Sequence, residues 1–248
     1  MRLAYKAGYP DYNLRRVQSL PLGLHGKYTY EDGIAEVLAT MFVRANTTIP
    51  VPDILDVIEL PRDTFIIMNT LPGKHLGGGL EHMDAAGVAA FVDDLRGWLH
   101  QLRSLVPPPG TSVGSVLGTP STQFRISTSD PIGPYRTIDE LHQDILNRFI
   151  EPEAADQVVR KSYSKRHRLC FTHCDLNSRN VLMHNGRLSG LVDFGSSGWF
   201  PEYWEYGASS WGFTYYYPQW VEGLHKIFPQ YRDEYEAEEI LWDQINPH

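Results

Sequence analysis

The residues best suited to chemistry lie between His173 and Gly195. The stretch His173-Cys174-Asp175-Leu176-Asn177-Ser178-Arg179-Asn180 sets an aspartate five positions ahead of an asparagine (180 − 175 = 5), and Asp193-Phe194-Gly195 follows it. Two carboxylates and an amide at these offsets suit transfer of a phosphoryl group, which exposes charge on several oxygens and needs a hydroxyl aligned and relieved of its proton. Asp175 is the candidate proton acceptor. Asn180 and Asp193 offer hard oxygens to Mg²⁺. His173, two residues before the base, is expected to anchor the loop by hydrogen bonds. Each piece also has an ordinary reading: H-x-D as a turn, Asn180 as a hairpin-entry residue, Asp193-Phe194-Gly195 as the end of a strand. None of these readings predicts the others, so the combination carries the argument.

A strand, a loop and a hairpin must position these groups. Leu169–Thr172 is a short apolar run, Val181–His184 and Leu188–Val192 are two more, and Asn185-Gly186 between the last pair is the dipeptide that supports a tight hairpin. Upstream, Ile34, Val37, Leu38, Met41 and Phe42 recur at helical spacing and predict a helix over Glu31–Asn46 with these residues on its inner face. Ile54–Leu60 and Thr64–Leu71 read as neighbouring antiparallel strands. Pro72 marks the boundary between two lobes, 1–71 and 72–248, with Gly77-Gly78-Gly79 as a flexible connection. Asp84 is placed to cap a long helix to about Leu105, and Thr137-Ile138-Asp139-Glu140 has the capping-box spacing for a helix to about Ile150. Between them, Pro107–Pro134 is rich in Pro, Gly, Ser and Thr and predicts a substrate-side lid or a mobile insertion. A charged helix, Asp233–Trp242, closes the chain.

Composition narrows the class. A chain of 248 residues, 42% of them hydrophobic, can bury a substantial core, and its formal charge of −8 with no basic run argues against a nucleic-acid or anionic-membrane partner. The two cysteines, Cys170 and Cys174, match neither a disulfide framework nor a zinc-ribbon spacing, and no stretch reaches the roughly 20 apolar residues of a membrane span. A soluble, cytoplasmic protein is expected.

The loop and hairpin, together with Leu20-Pro21-Leu22-Gly23-Leu24, Glu36, Thr48-Ile49-Pro50-Val51-Pro52, Ile66-Ile67-Met68, Leu71-Pro72-Gly73 and Gly198-Trp199-Phe200-Pro201-Glu202-Tyr203-Trp204-Glu205-Tyr206, resemble the aminoglycoside phosphotransferase and choline kinase group, especially its fungal members. The resemblance implies an α/β (α+β) protein-kinase-like bilobal fold with a short N-terminal lobe and a mainly helical C-terminal lobe. It implies ATP and Mg²⁺ as cofactors and a small-molecule hydroxyl as acceptor. It further implies that Lys27 contacts nucleotide phosphates and pairs with Glu36, that Met68 lines the adenine pocket, and that the backbone of Asn69 and Leu71 hydrogen-bonds the base. The chain departs from the pattern at its start, where 26 residues precede Lys27 without a glycine-rich phosphate cover, and in having Phe-Gly after Asp193.

Only Ser196–Pro201 separates Asp193-Phe194-Gly195 from the Glu202–Tyr206 segment, which leaves no room for the activation loop of a protein kinase. A small acceptor, cationic or polyhydroxylated, is favoured, with Glu202, Trp204, Glu205, Trp211 and Tyr215 as candidates to bind it by charge and ring faces. Two other readings stay open: a non-catalytic nucleotide sensor, and a kinase-like cleft adapted to rearrangement or cyclisation of a metabolite.

Overall fold

The structure is a computed structural model and describes residues 17–30, 33–61, 63–127, 130–148, 157–210 and 217–245. A hairpin opens it: β1 (Val17–Leu20) and β2 (Leu24–Tyr30) are joined by a single turn, Pro21–Gly23, in which Leu22 and Gly23 both take positive φ. After α1 (Gly33–Asn46) come β3 (Ile54–Glu59) and β4 (Asp63–Asn69), giving an antiparallel sheet in the order β1-β2-β4-β3. Gly33 lets α1 start hard against this sheet, because a Cβ there would lie 2.3 Å from Thr29 Oγ1 and 2.4 Å from Thr64 Cβ.

The inner face of α1 differs from the expected one. Ala35, Glu36, Val37, Ala39, Thr40 and Val43 are buried, whereas Leu38 and Met41 are 42% and 51% exposed. The helix is rotated so that Glu36 turns inward to meet Lys27, an arrangement that a stripe of apolar residues cannot foretell. The expected start at Glu31 falls outside the described residues.

The connection after β4 is stitched down, not flexible. β5 (Lys74–His75) pairs with β8 (Val181–His184), and Leu76 and Gly77 donate their N–H groups to Val181 O and Ser178 O at 2.9 Å each. Gly73, at φ +109°, lies so close to the hairpin that a Cβ would sit 2.4 Å from Met183 O. Leu71 packs over Gly190, and Leu191 donates its N–H to Pro50 O at 2.9 Å. The polar groups of this connector thus find partners in the hairpin instead of in solvent.

α2 (Ala85–Ser104) starts at Asp84, whose side chain accepts from Gly87 N at 2.7 Å, and buries Phe91, Leu95, Leu99 and Leu102. α3 (Ile138–Asn147) starts at Thr137, whose hydroxyl accepts from Glu140 N, while Glu140 reaches back to the N–H of Arg136. The expected end at Ile150 lies outside the described residues. α4 (Gln157–Tyr163) precedes β7 (Leu169–Thr172); β8 and β9 (Arg187–Leu191) then form the hairpin, with Asn185 and Gly186 at φ +50° and +75° as the two-residue turn requires.

The segment directly after Asp193-Phe194-Gly195 is itself a strand, β10 (Gly198–Pro201), lying between β7 and β6 (Gly114–Ser115). The Pro107–Pro134 region, expected to be a substrate-side lid or a mobile insertion, is tied into the fold in its described residues. It is bridged at Val113–Tyr135 and Ser121–Ile132, and it buries Ser121, Gln123 and Arg125. Its turn-rich composition serves a path that alternates between buried and exposed positions, with Leu117 and Phe124 nearly half exposed. α5 (Trp204–Ser210), α6 (Pro218–Ile227) and α7 (Arg232–Ile245) complete the helical side. One continuous hydrophobic core runs through both parts, from Ala39 and Val43 to Ala237 and Leu241.

Candidate active site

The loop that leaves β7 is held from beneath. Glu205, on α5, accepts hydrogen bonds from the backbone N–H groups of His173 (2.6 Å) and Cys174 (3.1 Å), and this fixes Cys174 at φ +68°. His173 is fully buried; its Nε2 donates to Val192 O (3.0 Å) and its Nδ1 accepts from Asp175 N (3.3 Å), which defines one neutral tautomer. Burial brings its pKa down to about 4, in keeping with a neutral ring. Ser197 Oγ donates to His173 O at 3.0 Å, so the turn after Asp193 also braces the loop.

These anchors present Asp175. Its Oδ1 accepts from Asn177 Nδ2 (3.0 Å) and its Oδ2 from Asn180 Nδ2 (2.8 Å), and both amides also donate to its backbone carbonyl. Burial and then the Asp193 charge push its carboxyl up to about 6, against the pull of Asn180, Arg179 and Asn177. A carboxylate poised near neutrality and rigidly aimed suits proton acceptance.

Lys27 reaches across from the upper sheet. Its Nζ lies 2.7 Å from Glu36 Oε1 and 2.7 Å from Asp193 Oδ1, so a single ammonium joins β2, α1 and the end of β9. Burial disfavours the lysine charge, but Glu36 and Asp193 outweigh it and hold the group protonated. Burial likewise pushes the Asp193 carboxyl up, and Lys27 overrides this to hold it below the ordinary carboxylate value. Asp193 stands at φ +69° with its side chain 43% exposed, and the Val192 N–H donates to Asn180 O at 3.0 Å, which ties hairpin and loop together at this point.

The oxygen donors here fit Mg²⁺. Asp193 has an open carboxylate, and Asn180 has its amide nitrogen committed to Asp175, leaving Oδ1 as the donor atom. Among the described residues no three His, Cys, Asp or Glu side chains form a metal cage. A cation at this point would therefore rely on these two oxygens together with those of a phosphate ligand.

On the upper side, Lys27 stands opposite Ile66 in the β2–β4 register, which puts Met68 on the same face of the sheet as Lys27. Asn69 uses its side chain to hold Asp53, accepting from Asp53 N (2.8 Å) and donating to Oδ2 (3.0 Å). Leu71 lies against Gly190 of β9, so the chain passes from the end of β4 directly onto the hairpin.

Three of the proposed acceptor residues lie elsewhere. Gly198 of β10 pairs with Thr172 at the loop end of β7 and Pro201 with Leu169 at the opposite end, so Glu202 emerges away from Asp175. There it meets Arg168, Arg103 and Tyr231. Trp204 is fully buried, stacked on Phe200 and under the Arg125 guanidinium. Glu205 faces the loop backbone from below. Trp211 and Tyr215 fall outside the described residues.

The residues that sequence reasoning passed over are Asn177, Ser121 and Gln123. Ser121 Oγ and Gln123 Nε2 both donate to Ser196 O at 3.1 Å, and Trp204 Nε1 donates to Gln123 Oε1 at 3.0 Å, so the insertion clasps the turn after Asp193. Asn177 could have been found from its position two residues after an aspartate, where a side-chain turn is expected. Nothing local marks the other two.

A β7 loop and β8–β9 hairpin under an antiparallel sheet, joined by a lysine shared between helix and hairpin, define a protein-kinase-like protein. The chain belongs to the phosphotransferase enzyme family, whose model matches residues 21–241. No curated protein sequence matches it. Among solved structures it resembles aminoglycoside phosphotransferase APH(4)-Ia, with TM-score 0.61 and 16% identity over 89% of this chain and 76% of that one. The gentamicin complex of APH(2″)-IIa gives TM-score 0.56 and 16% identity over 88% and 74%. ADP-bound APH(2″)-Ib gives 0.55 and 13% over 91% and 80%. At these identities the likeness is one of fold. No helix among the described residues is long and apolar enough to cross a membrane.

Proposed function

We propose that this protein transfers the γ-phosphoryl group of ATP to a hydroxyl of a small, polyhydroxylated molecule, with residues 1–71 as the nucleotide side and 72–248 as the acceptor side. The observation that supports this most is the Lys27 bridge, which sets a buried cation 2.7 Å from Asp193, next to the point where Val192 N–H ties the hairpin to the Asp175–Asn180 loop. Asp175 takes the acceptor's proton as its oxygen attacks phosphorus. Asn177 and Asn180 keep the carboxylate aimed. Lys27 faces the phosphates, while Met68 and the backbone of Asn69 and Leu71 receive the base. Asn180 and Asp193 hold Mg²⁺, which when bound neutralises charge on the phosphate oxygens. Solved relatives of the same fold include ternary complexes with ADP and hygromycin B, and with ATP and streptomycin. Of the residues expected to favour a cationic acceptor, Glu202 lies away from Asp175, and Trp204 and Glu205 are buried.

The test has two arms. Saturating ATP with Mg²⁺, at about 100 times Kd, should stabilise the native state by about 2.7 kcal/mol, read as a rise in Tm that vanishes with EDTA. In single turnover with an acceptor found by screening, Asp175→Asn should lower the rate by about 10²- to 10⁴-fold. An unchanged rate would remove Asp175 from its role.

One observation favours a second reading, a nucleotide sensor without turnover. The Pro21–Gly23 turn between β1 and β2 is too short to fold over a triphosphate, and it lies at the Asn69 end of the sheet, where Thr70 N donates to Gly23 O. Phosphorylation of any small molecule would exclude this as the sole function.

A further inference from the structure

Within the loop between base and metal residues, one side chain has no task in the arrangement described above. Arg179 is exposed, whereas its neighbours Ser178 and Asn180 are buried. Its backbone is fixed at both ends: the N–H donates to Asn177 Oδ1 at 2.9 Å, and the carbonyl accepts from His75 Nδ1. The side chain therefore departs from an immobile root four residues after Asp175, on the solvent side of the loop.

Arginines elsewhere in the molecule are ordinarily paired. Eight of those described form ion pairs with carboxylates, as expected in a chain with an acidic excess of eight. Arg179 forms no ion pair or side-chain hydrogen bond among the described residues. Its charge does reach Asp175, whose carboxyl it draws down. The exposed guanidinium four residues after the base is thus left without a carboxylate partner among the described residues. Asn180 keeps its amide on Asp175 and Asp193 accepts from Lys27, whereas the Arg179 side chain stands exposed on the solvent side of the loop.

We propose that Arg179 is a specificity residue that binds an oxyacid group, carboxylate or phosphate, carried by the acceptor a short distance from the hydroxyl that is phosphorylated. This rests on the phosphotransferase reading above and deepens it. The planar fork of guanidinium matches two oxyacid oxygens at once, a geometry that lysine cannot reproduce. Chemically the transfer is unaltered: the acceptor O–P bond forms, the bond from the γ-phosphorus to the bridging oxygen breaks, ADP leaves, and the hydroxyl proton passes to Asp175.

The experiment uses the full chain with Mg²⁺ and AMP-PNP and a matched panel of hydroxylated probes: aldonic acids and sugar phosphates, their neutral parent sugars, and the corresponding amino sugars. AMP-PNP binding is measured first, and its absence would defeat the phosphotransferase reading itself. With nucleotide bound, the anionic probes should raise Tm above their neutral parents, the carboxylate and phosphate arms showing which oxyacid is preferred. Arg179→Gln should weaken anion binding about tenfold, and Arg179→Glu should shift preference towards the amino sugars. Arg179→Lys should restore only part of the affinity. The proposal is overturned if no anionic probe stabilises the complex more than its parent, or if the charge preference survives Arg179→Glu. It is also overturned if Arg179→Gln weakens AMP-PNP relative to ADP and leaves the panel unmoved, which would place the guanidinium on the transferred phosphoryl.

Discussion

Two carboxylates near neutrality, Asp175 and Glu205, sit on opposite faces of one loop and differ in what their protonation does. For Asp175, raised to about 6, the reactive form is the anion, so kcat/KM should climb through an acid limb near pH 6 and level off above it. A limb near pH 4 in the rate of phosphate release would show that the carboxyl is not shifted. Glu205 is pushed up to about 7 by burial, against the N–H groups of His173 and Cys174 and the Ser209 hydroxyl. A folded pKa above the unfolded value of 4.5 means that the native state binds the proton more tightly. Stability therefore falls as pH rises from 4.5 to 7 and is constant beyond. Across that window wild type should lose up to about 3 kcal/mol relative to Glu205→Gln, measured by urea unfolding at several pH values. Parallel pH profiles for the two proteins would contradict this. The sequence marked Glu205 as notable but on the wrong side of the loop, because the spacing from Pro201 cannot say which way α5 turns.

Elements were legible where their signals are local. Asp84 and Thr137 accept from the N–H groups three residues on, and Asn185-Gly186 adopts the left-handed pair that the dipeptide promises. The inner face of α1 was not legible, since it is set by Glu36 reaching Lys27 and by small residues that let the helix approach the sheet. Gly33 makes that approach quantitative. Gly33→Ala should destabilise the protein by about 1–3 kcal/mol through overpacking against Thr29 and Thr64, seen as a lower urea midpoint with unchanged m. Because α1 carries Glu36, the same variant should weaken nucleotide binding, whereas Gly97→Ala, inside α2 with open space around it, should leave nucleotide binding unchanged and stabilise the protein by about 0.5–1 kcal/mol.

Contacts far apart in sequence hold the molecule together at the largest scale, and these were the least legible. Arg125, in the insertion, forms a buried ion pair with Glu238 on α7 and lies 3.8 Å over the Trp204 ring. Nothing within a dozen residues of Arg125 indicates a partner 113 positions away (238 − 125 = 113), so composition alone leaves this region as a lid or a mobile insertion. Removing one member strands the other charge in the interior: Arg125→Met or Glu238→Leu alone should cost about 3–5 kcal/mol, and the double variant should recover most of the loss. Additive losses in a double-mutant cycle of urea unfolding would mean that the two groups are not coupled. Since Gln123 and Ser121 from the same insertion grip Ser196, the single variants should also slow turnover.

The fastening of the connector to the hairpin has a mechanical consequence. The upper sheet and α1 meet the lower body at Pro50 on Leu191 and Leu71 on Gly190, at Thr48 on Gln101, and through Phe42 against Phe171 and Trp199. Contacts spread over this breadth, and not along a single line, oppose rotation of the sheet as well as sliding. The 2.7 Å bridge between Lys27 and Asp193 adds one more tie, so the sheet and the hairpin would keep their mutual placement while nucleotide binds and leaves.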